Sequence, residues 1–255
     1  WSNGTIENCH SSVNITAERE AGGITGTLSG EGRISDCSNS GNILINDKET
    51  YAGGIAAHNF GGIINNCENT GKITNGSNGF RNRIGGIVGY LDRGEIRSSD
   101  NSGAVRSEAE YSTYAADEAQ NYAGGIAGYS NKGIILNCSN IADVYNAVDY
   151  AGGIAGYLHG RDSVTECRND GSVFGKGYVG GIAGSSDSTI SNCSNTGDVT
   201  GTDMYVGGIV GYLSSGNIND CCNSGMLEGS DNVGEIFGFN ASGTAQISQE
   251  EPTEF

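Results

Sequence analysis

The tripeptide Gly-Gly-Ile begins at Gly22, Gly53, Gly85, Gly124, Gly152, Gly180 and Gly207, and returns in altered form as Gly234-Glu235-Ile236. The intervals are 31, 32, 39, 28, 28, 27 and 27 residues. Self-similarity at such a period marks stacked repeats, in which no unit can bury its apolar face alone. Each unit carries a second signature shortly afterwards, Ile-x-x-Cys-x-Asn-x-Gly-x-Val, clearest in Ile190-Ser191-Asn192-Cys193-Ser194-Asn195-Thr196-Gly197-Asp198-Val199. Its Asn recurs at Asn39, Asn69, Asn101, Asn140, Asn169, Asn195 and Asn223. Its Cys recurs at Cys9, Cys37, Cys67, Cys138, Cys167, Cys193 and Cys221, with Ser99 in the gap. Its Gly recurs at Gly41, Gly71, Gly103, Gly171, Gly197 and Gly225, with Ala142 as the exception.

Within each unit small apolar residues alternate with polar ones over short runs broken by Gly, Asn and Ser, which reads as short strands joined by turns. Three strands per unit follow: one through Gly-Gly-Ile, one through Ile-x-x-Cys and one through Gly-x-Val. The expected fold class is all-β, a parallel β-helix (β-solenoid) of about eight coils with three short strands per coil, roughly 40 Å tall at a strand spacing of ~4.8 Å. Ile of Gly-Gly-Ile and Ile/Val of the other strands would fill a continuous interior. The Asn column would form a ladder at an inward turn, each amide bonding those above and below while tolerating a left-handed backbone. The Gly two residues later either supplies positive φ or lets adjacent coils approach closely. The expected organisation is one domain over residues 1–255: a half coil and irregular lead-in over 1–20, repeats over 21–240, and a cap or linker over 241–255. Trp1 enters partway through a coil, as an excised fragment or a ragged native cap would.

Gly208-Ile209-Val210-Gly211, with Ile in place of Leu, resembles the GLUG repeat, as do the matching tetrapeptides of most other units with their Asn and Gly-x-Val tail. Ala57, at the closing Gly of the tetrapeptide, and Glu235, at its opening Gly, depart from the pattern. The resemblance implies a segment of a bacterial secreted or cell-surface protein, such as an adhesin, or of the non-catalytic region of a metallopeptidase that cleaves immunoglobulin A. It marks an architecture more than an activity.

The chain has a net charge of −17, which repels phosphate backbones and anionic membrane surfaces, and it holds no apolar run near the roughly 18 residues of a membrane span, so neither nucleic acid nor membrane insertion is expected. The charge is uneven. Residues 48 to 106 hold seven Lys/Arg (Lys48, Lys72, Arg81, Arg83, Arg93, Arg97 and Arg106) against five acids, whereas residues 177 to 255 hold ten acids and no Lys or Arg. Seven of the eight cysteines share one repeat position. Stacked Cβ vectors run side by side at about the strand spacing, longer than the ~3.8 Å a disulfide prefers, which favours reduced, buried thiols. Cys222 should face the other way from Cys221 and be the exposed, reactive one.

No His-Glu-x-x-His, phosphate loop or calcium-loop motif is present, so no catalytic residue, metal ligand or cofactor is assigned. Two aromatic columns are candidates for contact. One follows the tetrapeptide (His58, Tyr90, Tyr129, Tyr157, Tyr212 and Phe239, interrupted by Ser185), and the other precedes Gly-Gly (Tyr51, Tyr122, Tyr150, Tyr178 and Tyr205). Seven residues apart, they would face opposite sides of an unbroken strand. Ring-on-ring packing between coils competes with recognition as their role. The insertion in the 39-residue unit, Arg106 to Asn121, holds Tyr111 and Tyr114 and is a candidate binding loop. Candidate binding residues are therefore Tyr90, Tyr129, Tyr157, Tyr212, Tyr111 and Tyr114. The function expected is a non-catalytic extracellular repeat segment, secreted or at the cell surface, acting as a rigid stalk or as an adhesive surface for host glycan or protein. The alternatives are the accessory repeats of a larger secreted metallopeptidase or hydrolase, and a carbohydrate-active β-helix enzyme. Oligomeric state and handedness are not in the sequence.

Overall fold

The computed structural model describes residues 2–47, 49–76, 81–108 and 120–241. The first coil contains β1 (Thr5–Glu7), β2 (His10–Ser11), β3 (Ile15–Ala17), β4 (Glu20–Gly22) and β5 (Thr25–Ser29), and the same five elements recur in every later coil. They stack into five parallel sheets of eight strands each. The fold is a parallel β-solenoid of eight coils. Ile15–Ala17 pairs with Ile43–Ile45, so the segment expected to be an irregular lead-in is a regular part of the first coil.

Five strands replace the three expected because two bends divide the longer runs. The residue before each Cys is left-handed: Asn8, Asp36, Asn66, Ser98, Asn137, Glu166, Asn192 and Asp220 have φ between 45° and 55°. That conformation turns the chain between β1 and β2 and is easiest for Asn and Asp. The ladder Asn residues are themselves strand members, so the left-handed position lies three residues earlier than expected. The second bend is at Gly-Gly-Ile, between β4 and β5.

The Asn column forms the expected ladder. Nδ2 of Asn39 donates to Oδ1 of Asn69 (2.9 Å), and the pattern continues through Asn101, Asn140, Asn169, Asn195 and Asn223 at 2.7–2.9 Å. The second Nδ2 proton goes to the carbonyl two residues on, as in Asn169 to Gly171 at 2.7 Å. From Asn39 to Asn195 both donors of each amide are thereby engaged in an interior where an unmatched one would be costly. The Gly of that tail has no positive φ. It is there for close approach, since a Cβ on Gly71 would lie 2.1 Å from the Gly41 carbonyl oxygen.

The ladder also divides the interior. Each Asn reaches across to the second Gly of a Gly-Gly pair: a Cβ on Gly153 would lie 2.2 Å from Cγ of Asn169. On one side, Ile34, Ile64, Ile96, Ile135, the Cys column and the Ile of Gly-Gly-Ile pack with Leu28, Leu91, Leu158 and Leu213. On the other, the β3 and β4 sheets form a second core from Ile43, Ile73, Val105, Val144, Val173 and their partners. Two cores flank a polar spine, in place of one continuous interior. Ala57 is fully buried and Gly234 still pairs with Gly207, so neither departure from the tetrapeptide breaks the stacking.

All eight cysteines are free thiols. Those in the column donate to the carbonyl two residues back, as Cys67 to Asn65 at 3.3 Å, and Ser99 makes the same bond to Arg97 at 2.8 Å. Burial pushes the Cys67 thiol up to about 11, which keeps it protonated and inert. Cys222 is only half-buried, and Cys9, with no described coil beneath it, is the exposed cysteine in place of Cys222.

One departure from the columns buries a charge-bearing group. The inward β5 position is Leu28, Leu91, Leu158 or Leu213 in four coils, and a Gly of the next coil packs on two of these: a Cβ on Gly62 would lie 2.6 Å from Leu28 and one on Gly133 2.5 Å from Leu91. Where Ser130 replaces Leu, the partner is Asp162 in place of Gly. Its carboxylate accepts from Ser130 Oγ (2.9 Å), from the His159 amide (2.6 Å) and from the Gly133 amide. Burial outweighs these donors and pushes the Asp162 carboxyl up to about 7, with Asp187 adding in the same direction. Because the folded value lies above the ordinary carboxyl range, this group's contribution to stability is complete below about pH 4 and is lost as pH rises through 7. The double variant Ser130→Leu with Asp162→Gly restores the column. Its stability relative to wild type is expected to improve from pH 4 to pH 8 by on the order of 3 kcal/mol. Urea denaturation of both proteins across that range checks it; parallel curves would show that Asp162 stays ionised throughout.

Candidate binding surface

The aromatic columns form one surface. In the β4 sheet, Glu20, Tyr51, Arg83, Tyr122, Tyr150, Tyr178 and Tyr205 stand in register. In the β5 sheet the register is Thr27, His58, Tyr90, Tyr129, Tyr157, Ser185, Tyr212 and Phe239. The two were expected on opposite sides. They share one side because the Gly-Gly-Ile bend folds β4 against β5, and the parity of an unbroken strand no longer applies. The closing Gly of the tetrapeptide makes room for this fold: a Cβ on Gly128 would lie 2.5 Å from the Ile84 amide nitrogen of the neighbouring β4 strand.

The rings interleave across the crease. Tyr122 lies 5.1 Å from Tyr129 and 5.9 Å from Tyr157, while Tyr150 lies 5.6 Å from Tyr157 and stacks on Tyr178 at 4.7 Å. Tyr212 lies 5.6 Å from Tyr178, 5.5 Å from Tyr205 and 5.6 Å from Phe239. Such pairs contribute about 0.5–1.5 kcal/mol each beyond burial, so the seam stabilises coil stacking. It also leaves most of its rings half-buried, with Tyr122 buried at 4% exposure and Phe239 exposed. Burial first, then the neighbouring phenols, raise the Tyr122 and Tyr129 hydroxyls well above their ordinary range; Tyr90, Tyr157 and Tyr178 move the same way, burial again the main cause. These hydroxyls remain neutral hydrogen-bonding groups at any physiological pH.

Of the residues singled out from sequence, the seam brings together Tyr90, Tyr129, Tyr157 and Tyr212. Tyr90 and Tyr129 are 5.3 Å apart and Tyr129 and Tyr157 5.5 Å, whereas Ser185 separates Tyr157 from Tyr212. Tyr111 and Tyr114 lie outside the described residues. On either side of the insertion that carries them the register is that of the other coils, Val105 on Val144 and Tyr122 on Tyr150.

Sequence reasoning missed Arg83 as part of this surface. It takes a tyrosine position in the β4 column, and its guanidinium carbon lies 5.1 Å from the Tyr51 ring, 4.9 Å from Tyr90, 5.9 Å from Tyr122 and 5.0 Å from Tyr129. The available signal was its place one residue before Ile84-Gly85-Gly86, where other units carry Tyr. A second recess, of about 200 Å³, opens on the β3 sheet between Tyr145, Phe174, Lys176 and Thr200, with Arg106 over the Tyr145 ring at 4.4 Å.

The family model described as the GLUG motif matches residues 49–74 and 175–200, each running from near the start of β4 or the end of β3 through the bend and the Cys-Asn-Gly tail. Two of the chain's repeats carry the GLUG motif. Among solved structures, the chain resembles that of a "putative immunoglobulin A1 protease from Bacteroides ovatus", with a TM-score of 0.50 and 19% identity over 89% of this chain and 68% of the other. That likeness shows a shared fold. No curated protein matches the chain. In structural terms the GLUG tetrapeptide is the bend that folds β4 onto β5, its glycines set by the Asn spine on the inside and by sheet-to-sheet contact at the crease.

Proposed function

We propose that these GLUG repeats form a non-catalytic, extracellular rod that presents the aromatic crease as an adhesive surface for glycan or protein. The observation that carries this reading is the double column of rings from Tyr51 to Phe239, interrupted at Arg83 in one sheet and at Ser185 in the other, in which strand register holds the rings in place. Tyrosines held this way offer large amphipathic contact area with little further conformational entropy to lose on binding. The interior supports a structural role, because apolar cores and an internally satisfied amide spine fill the coil. Secretion or surface display fits the family resemblance and a solenoid whose long axis separates its two ends.

A second reading, accessory repeats of a larger secreted hydrolase, is favoured by the likeness to the Bacteroides ovatus protein. Both readings predict binding without turnover by this chain. The test is a glycan and extracellular-protein array probed with the full chain and with the Tyr129→Ala/Tyr157→Ala variant. Loss of signal by tenfold or more is expected, with Tyr129→Phe/Tyr157→Phe as a partner that keeps the ring packing. Equal binding by wild type and the alanine variant, both folded by circular dichroism, would remove the crease from consideration.

A further inference from the structure

Arginines in the basic segment are engaged by carboxylates with one exception. Arg81 pairs with Glu49 at 3.1 Å, Arg93 with Asp92 at 3.0 Å, and Arg97 and Arg106 with Glu95 and Glu108. Arg83, among the described residues, has no carboxylate and no hydrogen-bond acceptor. Its Nε is buried without a partner, and so is Nε2 of His58, which stacks on Tyr90 at 4.7 Å and lies 5.8 Å from Tyr51. Both orphaned nitrogens therefore border the same two rings. Unmatched buried donors are rare enough that each calls for a physical account, an ion or water being the usual one. Ring faces offset part of the cost of the charge but accept none of its five N–H bonds.

The terminal nitrogens of Arg83 are in a different position from Nε. They too lack protein partners, yet they are not enclosed, and the side chain as a whole is half-buried. The four rings fix the guanidinium plane, so its outer edge is a preorganised fork at the solvent boundary. A fork of this kind matches the two oxygens of a carboxylate. A doubly charged phosphate would call for a second cation, and the neighbouring Arg81 and Arg93 are already neutralised by Glu49 and Asp92. Around the fork stand neutral hydrogen-bonding and aromatic groups, Tyr51, Tyr90, Tyr129 and His58, which suit the hydroxyls and ring of a sugar better than the flexible arm of an acidic peptide. Burial lowers the His58 basicity, with Arg83 acting in the same direction and Glu20 and Asp92 opposing, so that imidazole is uncharged at neutral pH.

We infer that Arg83, within the cage of Tyr51, Tyr90, Tyr122 and Tyr129, is a binding site for the carboxylate of an acidic sugar residue in a glycan. The inference rests on the adhesive reading of the crease and narrows it to a ligand class. The site sits in the one stretch where basic residues outnumber acids, so the local field opposes an anion less than the chain's overall charge would.

The test uses the full chain, an oligosaccharide containing glucuronate, its carboxyl-reduced neutral counterpart, and an oligoglutamate peptide. Titration calorimetry is expected to show the glucuronate ligand binding at least tenfold tighter than the neutral one, with oligoglutamate weaker than both. Arg83→Tyr, which installs the residue the column itself uses and so keeps the stacking, is expected to remove the preference, bringing the ratio of acidic to neutral affinity down to about one. Arg83→Lys, which keeps the charge and loses the fork, should retain a third or less of the preference. Equal affinity for the acidic and neutral sugars in wild type, or a preference that survives Arg83→Tyr, overturns the Arg83 assignment and leaves the crease reading standing. Tightest binding of oligoglutamate overturns the sugar assignment. Absence of binding to any sugar overturns the inference and the glycan form of the crease reading together.

Discussion

Asn140→Ala is expected to lower the unfolding free energy by roughly 3–5 kcal/mol, because a single side chain in the middle of the spine holds three other groups in hydrogen bonds of 2.7–2.8 Å, besides a longer bond of 3.4 Å accepted from the Ala142 amide. Asn140 donates to the Ala142 carbonyl (2.7 Å) and to Asn169 Oδ1 (2.7 Å), and accepts from Asn101 Nδ2 (2.8 Å). Alanine leaves that carbonyl, that Oδ1 and that amide proton without partners in a space closed to solvent, and opens a cavity between the two cores. Each unmatched group costs about 1–3 kcal/mol, and relaxation of the coil recovers only a fraction. The comparison that isolates the spine is Asn223→Ala, at its last described rung. Asn223 is half-buried and makes one inter-coil amide bond, accepting from Asn195 at 2.7 Å, so the expected loss is about 1 kcal/mol. Urea denaturation of the three proteins reads the difference. Equal losses at the two positions would mean that the amides act as independent turn bonds, and that burial between two cores contributes nothing special.

Gly153→Ala is expected to be harsher, with no folded protein or a loss above about 4 kcal/mol. A methyl group there would sit 2.1 Å from the Gly181 carbonyl oxygen of the next coil and 2.2 Å from Cγ of Asn169. Neither can withdraw: the first belongs to backbone held in register, the second to the spine. Overpacking of this kind must push adjacent coils apart, which breaks ladder bonds as well as contacts. Gly26→Ala is the control, since nothing lies within 4 Å of a Cβ at that position and its backbone is not left-handed. Near-wild-type thermal stability is expected for Gly26→Ala. A Gly153→Ala protein of similar stability would show that the Gly-Gly pair serves the bend alone, with no contact to the spine.

The aromatic crease stands in a different relation to stability. Its rings support one another between coils, yet the column tolerates His58, Arg83 and Ser185, which the Asn spine does not match with any exception over its seven rungs. A surface column can vary as long as neighbours still pack, whereas a buried amide chain with one wrong member strands two others. Variation at Arg83 is consequently affordable to the fold and available for recognition.

Properties that repeat along the axis were decided by the sequence. Stacking in register puts each residue over its equivalent, so the identity of the Asn ladder, the free-thiol column and the parallel solenoid could be read from spacing at Asn39 to Asn223 and Cys9 to Cys221. Relations around the coil were decided by the tertiary structure. Whether Tyr122 and Tyr129 share a face depends on how sharply Gly124-Gly125-Ile126 turns, and whether the interior is one core or two depends on how far Asn140 reaches towards Gly125. The same holds for Arg83: its sequence position shows a break in a column, while its four flanking rings come from two sheets that only the folded bend brings together. Strand spacing fixes distances along the axis for any sequence with the right period, but angles within a coil emerge from steric contacts among residues far apart in the repeat, such as Gly128 against Ile84.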